Sequence, residues 1–218
     1  MKKVFFALAA VLMLSLTSQA QVKFGAKAGM NLSRFTENFE TMKPGFHAGV
    51  YAQIKLHPMF SIQPEVLYSM QGGTEEETNT TLGQTITAKG SATSHNVIVP
   101  VMLQFTPIKS LTIEAGPQFG FNLGMSLYSE VTMSGLVDDS FEESVDLGEE
   151  DYKMFDFGLA AGLKYNVNSN INVYARYVFG LTNVFNIKYP NQEEVLYPIL
   201  EPLDMKNSNL MFGLGFSF

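Results

Sequence analysis

The chain has no cysteine. An exported form of it therefore draws no stability from disulfides, and no lipid can be attached to a thiol behind a leader. Charge is also scarce: Asp, Glu, Lys and Arg make up 16% of the residues, against about 25% in ordinary soluble domains. Beyond residue 20 no apolar run approaches the ~18 residues of a transmembrane helix. Histidine occurs three times, at His47, His57 and His95. No GxSxG, HExxH or phosphate-loop pattern is present, so no cofactor is implied. Basic residues are scattered without an aromatic-basic patch, which excludes a nucleic-acid surface.

What is present begins with a leader. Met1-Lys2-Lys3 is followed by an apolar run from Val4 to Leu16 and then by small Ser18 and Ala20. This is the layout of a secretory signal peptide cleaved after Ala20. The run is too short for a good permanent anchor. Residues 21–218 then form one domain, and loss of Lys2 and Lys3 makes it more acidic than the net charge of −7 carried by the whole chain.

The second signal is alternation. In Leu210-Met211-Phe212-Gly213-Leu214-Gly215-Phe216-Ser217-Phe218 every second residue is large and apolar and those between are small or modest. Period two is a strand with two unlike faces. Seven earlier segments repeat it: Val22 to Leu32, Phe46 to Leu56, Phe60 to Met70, Asn96 to Phe105, Leu111 to Leu127, Lys153 to Val167 and Ile171 to Leu181. The connections alternate long and short. The long ones are 33–44, 71–94 (whose threonine alternation can prolong its flanking strands), 128–152 and 182–208. The apolar faces stay in phase across each short turn when Leu56 pairs with Phe60, Phe105 with Leu111 and Val167 with Ile171.

Eight in-phase strands with turns at one end and loops at the other predict an all-β, antiparallel, up-and-down transmembrane barrel in the outer membrane. A soluble eight-stranded barrel is too narrow to hold eight rows of Phe, Leu, Val and Met. A two-sheet sandwich remains the competing way to bury them. Aromatic residues gather near both strand ends, as interface girdles do.

At this point a family resemblance becomes visible. The leader, the strand VKFGAKAGMNLS, the arm GFHAGVYAQIKL and the strand VIVPVMLQF resemble the PorT-like outer-membrane β-barrel (porin-family) proteins of Bacteroidota, over essentially the whole mature chain. The resemblance implies a fold and a location. The group's name implies a secretion role for its founding type, but no motif here carries that role. It also implies that the terminal aromatic Phe218 is read by the barrel-assembly machinery. The expected partners are outer-membrane lipids, that machinery, and an extracellular or periplasmic protein.

Parity turns Lys23, Lys27, Lys55, Glu65, Glu114, Asp156, Lys164 and Arg176 toward the lumen. Charges of both signs in a narrow interior should pair, because unpaired buried charge is costly. With the short-turn registers above, Arg176 faces Gly162 and has room to reach across. The network then either plugs the barrel, leaving a structural or surface-interaction role, or gates a narrow channel, with Arg176 switching between Glu114 and Asp156. A third reading, a barrel-embedded hydrolase or acyltransferase, has only the inward His47 to build on. Asp138, Asp139, Glu142, Glu143, Asp146, Glu149, Glu150 and Asp151 make an acidic external loop. Clustered carboxylates suit calcium, but the spacing is not that of an EF-hand, and a hydrated loop explains them equally.

Overall fold

A computed structural model describes residues 21–35, 41–81, 83–135, 138–148, 152–184 and 206–218. The leader, Glu149, Glu150 and Asp151 lie outside these residues. The strands are β1 (Gln21–Phe35), β2 (Thr41–His57), β3 (Phe60–Thr81), β4 (Gln84–Ile108), β5 (Leu111–Ser134), β6 (Asp139–Asp146), β7 (Phe155–Asn166), β8 (Ile171–Asn183) and β9 (Lys206–Ser217). Every pairing is antiparallel. The order β4-β3-β2-β1-β9-β8-β7-β5 closes on itself through β4 and β5, so eight strands form a ring.

The seam between first and last strands runs from Gly25 opposite Ser217 to Phe35 opposite Asn207. The N–H of Phe218 donates to the Phe24 carbonyl at 2.9 Å, which extends that seam to the final residue. Gly29 and Gly213 meet here. A Cβ on Gly29 would lie 2.1 Å from the Phe212 carbonyl oxygen, and one on Gly213 would lie 2.2 Å from that of Ala28. Only glycine lets the two backbones approach so closely.

The alternation sorts the side chains inside out. Phe24, Val50, Leu103, Leu159, Phe179 and Leu214 each expose more than half of their surface on the outer face. Lys27, Glu65, Gln63, Gln104, Glu114 and Arg176 are buried within. Backbone donors and acceptors are paired around a ring without an edge, the condition for strands to cross lipid. Outward rings pack in pairs at both strand ends: Phe60 with Phe105 near the short turns, and Phe46 with Tyr68 and Phe119 with Phe157 toward the other end.

Four features depart from the sequence reading. First, β3, β4 and β5 are 22, 25 and 24 residues long, about twice what a spanning strand needs. The segment read as the loop 71–94 is a continuous hairpin whose tip includes Gly83, at φ 82°. Second, part of the acidic loop is the strand β6, paired to β5 from Ser126–Asp146 to Met133–Asp139 and standing outside the ring. Third, β5 carries a bulge: His95 pairs with Gly124 but Asn96 with Asn122. One extra residue, Leu123, reverses the parity beyond it, so Met125 is buried rather than lipid-facing. Fourth, two short-turn registers shift. Phe105 pairs with Ile113 and Ile108 with Leu111. His57 pairs with Phe60, leaving Leu56 as the odd residue. The N–H of Val167 does donate to Ile171, at 2.9 Å.

Candidate functional site

The lumen is packed in layers. At its centre Arg176 of β8 is wholly enclosed. Its Nη1 and Nη2 donate to the two Glu65 oxygens at 3.0 and 2.8 Å. Its Nε and Nη2 donate to Glu114 Oε1 at 2.9 and 2.7 Å. Lys27 Nζ donates to Glu65 Oε1 at 2.9 Å and lies 4.1 Å from the Tyr174 ring centre. These groups come from β1, β3, β5 and β8, so the ion pairs tie opposite walls together. Such charge-assisted forks are short and directional.

Toward the short-turn end follows a layer of amides. Gln104 Nε2 donates to Glu114 Oε2 at 3.0 Å and to Gln63 Oε1 at 2.9 Å. Gln63 Nε2 donates to Glu65 Oε1 at 2.8 Å. Lys164 Nζ donates to Gln63 Oε1 and to Gln104 Oε1, each at 3.2 Å. In the other direction His47 bonds Asn31 Oδ1 through Nδ1 at 2.7 Å and the Tyr174 hydroxyl through Nε2. Asn31 Nδ2 donates to Ser69 Oγ at 2.9 Å.

Apolar groups share the interior. Leu67, Ile98, Met102, Ala160, Val178 and Met211 form one buried cluster. Phe35, Ala92, Met125, Tyr152 and Val184 form a second, which brings the end of β1 and the residues just before β7 and after β8 against β4 and β5 on the long-loop side.

Five of the eight charged residues read as luminal are therefore buried together: Lys27, Glu65, Glu114, Lys164 and Arg176. Three are not in the network. Lys23 and Lys55 are exposed, because their inward parity falls at the end of the barrel, where inward means water. Asp156 accepts a hydrogen bond from Thr182 Oγ1 at 2.6 Å and lies beside Gly120, far up the wall from Arg176. In this structure Arg176 is shared by Glu65 and Glu114, and Asp156 stands opposite Gly120, apart from that group. The uncharged partners Gln63, Gln104, Asn31 and Tyr174 were missed by looking only at charge. The same parity places them inward.

Outside the ring β3, β4, β5 and β6 continue as a four-stranded sheet. Asp138, Asp139, Glu142, Glu143 and Asp146 are all exposed on or beside β6. Asp138 Oδ1 accepts the N–H of Gly135 at 3.0 Å at the turn into β6. Among the described residues no three His, Asp or Glu side chains converge as a metal-ligand set.

The chain is similar to several proteins of known structure. The attachment invasion locus protein Ail of Yersinia pestis is 14% identical, with 91% of this chain and 99% of that chain covered and a TM-score of 0.43. Neisserial surface protein A is 13% identical over 92% of this chain and 100% of that chain, with a TM-score of 0.44. CarO of Acinetobacter baumannii is 13% identical over 89% and 97%, with a TM-score of 0.43. No curated protein matches the chain. The family model of the outer membrane protein β-barrel domain matches residues 17–186. That span takes in most of the ring, and with the apolar side chains turned to the outside it establishes that the chain belongs to the outer membrane protein β-barrel domain family.

Proposed function

We propose that this protein is a non-conducting outer-membrane barrel that holds an acidic extracellular sheet toward a basic partner surface, within the PorT-like group that its strands resemble. The observation that carries the reading is the filled lumen. Arg176, Lys27, Glu65 and Glu114 close the centre by ion pairs, and an apolar cluster lies on the outer side of them. Short turns face the periplasm in such barrels and long connections face outward, which puts the β3–β6 sheet and its carboxylates outside the cell. Complementary charge then selects partners and speeds encounter.

Planar-bilayer recording of the purified barrel tests the closed lumen; the expected trace has no unitary openings, and steady ion conductance would overturn it. Fluorescent polylysine binding to intact cells tests the display. Neutralising Asp139, Glu142, Glu143 and Asp146 to Asn or Gln is expected to lower it severalfold, and an unchanged signal would remove the acidic sheet from the account.

A further inference from the structure

The short-turn end of the barrel opens into a cavity of about 380 Å³. Lys23, Lys55 and Lys109 stand on its wall, Lys164 forms part of its floor, and among the described residues no Asp or Glu lines it. The chain as a whole has 21 acidic and 14 basic residues, so four lysines at one unopposed cavity run against its balance.

The floor gives an independent reason for an anion. Among the described residues the buried charges of the lumen are three cations, Lys27, Lys164 and Arg176, against two carboxylates, Glu65 and Glu114. Arg176 holds both carboxylates, and Lys27 holds Glu65 as well. Lys164 is left with two amide oxygens at 3.2 Å. Glu114 and Glu65 act on Lys164 only from a distance and against the repulsion of Lys27 and Arg176, and among the described residues no carboxylate pairs with it directly. A buried ammonium without an ion pair is costly, and the place left for a negative charge is its cavity side.

The donors also define the chemistry. Lysine is a compact point charge suited to phosphate, whereas planar carboxylates favour the fork of arginine; among the described residues no arginine lines the cavity. Asn168 adds an amide. Its Oδ1 already accepts the N–H groups of Asn170 and Ile171 at 2.9 and 2.7 Å, which leaves its NH2 as a donor.

We infer that this periplasmic vestibule binds a phosphate-bearing ligand, with Lys23, Lys55 and Lys109 gathering it and Lys164 neutralised by it. The phosphate can belong to a soluble compound or to a phospholipid head of the inner leaflet. Calorimetry on the barrel purified from outer membranes in octyl glucoside, at low ionic strength, tests the site with two probes: pyrophosphate and monomeric short-chain phosphatidylglycerol.

Saturable one-to-one binding is expected for at least one probe. K23Q/K55Q/K109Q should weaken it at least tenfold. K89Q/K153Q, which removes exposed lysines elsewhere, should leave it within twofold. Tighter binding of pyrophosphate assigns the soluble source, and tighter binding of phosphatidylglycerol the lipid head. No saturable heat with either probe, or equal affinity in wild type and the vestibule triple variant, overturns the inference. Heat-dependent gel mobility reports folding of each variant. Should the triple variant misassemble, K109Q alone, on an exposed turn, carries the test with about threefold weakening.

Discussion

Arg176 stands directly across from Gly162, and the room its stem occupies is the room that a side chain at 162 would need. A Cβ on Gly162 would lie 2.5 Å from the Ala175 carbonyl oxygen and 2.9 Å from Arg176 Cα. Both are backbone atoms, so no rotamer change relieves the contact. Gly162→Ala should destabilise the barrel by about 1–3 kcal/mol, the usual range for overpacking. Urea unfolding in detergent, followed by heat-dependent gel mobility, should show a lower midpoint. A midpoint equal to wild type would mean that β7 and β8 can separate without loss.

The ion pairs themselves make a sharper prediction. Arg176→Met leaves Glu65 with Lys27 and the Gln63 amide, and Glu114 with the Gln104 amide. Breaking a buried pair on one side costs about 3–5 kcal/mol. Removing all four charges in K27M/E65Q/E114Q/R176M leaves no carboxylate buried without its cation, and Lys164 keeps its two amide partners. The quadruple variant should therefore unfold at higher urea than Arg176→Met does. If its loss instead equals the sum of the four single losses, the four groups act independently and the layer is not a network.

How much of this was legible before the structure follows from what alternation encodes. Period two states which face a residue is on, and it placed Phe212, Leu214 and Phe216 outside and Gly213 and Gly215 inside. Across the tight turn after Val167 it also placed Arg176 opposite Gly162. Parity says nothing of height along the wall. Asp156 shares a face with Gly162 but lies six residues from it, about 20 Å at ~3.3 Å per residue, so it cannot join the ion pairs. Lys23 and Lys55 fail for the same reason at the other end. The bulge at Leu123 left no mark, because Leu123 and Met125 are both apolar and either parity reads as well. In β6 the apolar signal is reduced to Phe141 and Val145 between carboxylates and serines, and a strand lying in water needs no more than that.

The outward apolar face predicts an asymmetry between positions of similar exposure. Leu214 is 60% exposed on β9, between Ala28 and Val173 on its neighbours. Ile86, 40% exposed, pairs with Met133 in the sheet beyond the ring. Leu214→Arg places a cation against hydrocarbon and should cost up to about 2–4 kcal/mol, the value reached at the midplane. Ile86→Arg places one in water and should cost far less. Folding into phosphatidylcholine vesicles should be markedly impaired for the first variant and near wild type for the second. Equal behaviour of the two would mean that the face carrying Leu214 does not meet lipid.

The extracellular sheet carries a row of charges across four strands. Glu76 pairs with Lys89, Lys89 with Glu130, and Glu130 with Glu142. Lys89 stands between two of the three carboxylates, and the last pairing sets two like charges opposite each other, which is unfavourable. Among the described residues β6 pairs only with β5, so no second described strand holds it against that repulsion. Glu142→Lys turns the repulsion into attraction and should slow proteolytic cleavage within 135–148 in the intact barrel. The groups are exposed, so the gain should fade as salt shortens the screening length from about 10 Å at 0.1 M to about 3 Å at 1 M. Protection that persists undiminished at 1 M salt would point to packing by the new side chain, rather than to charge, as what holds β6 in place.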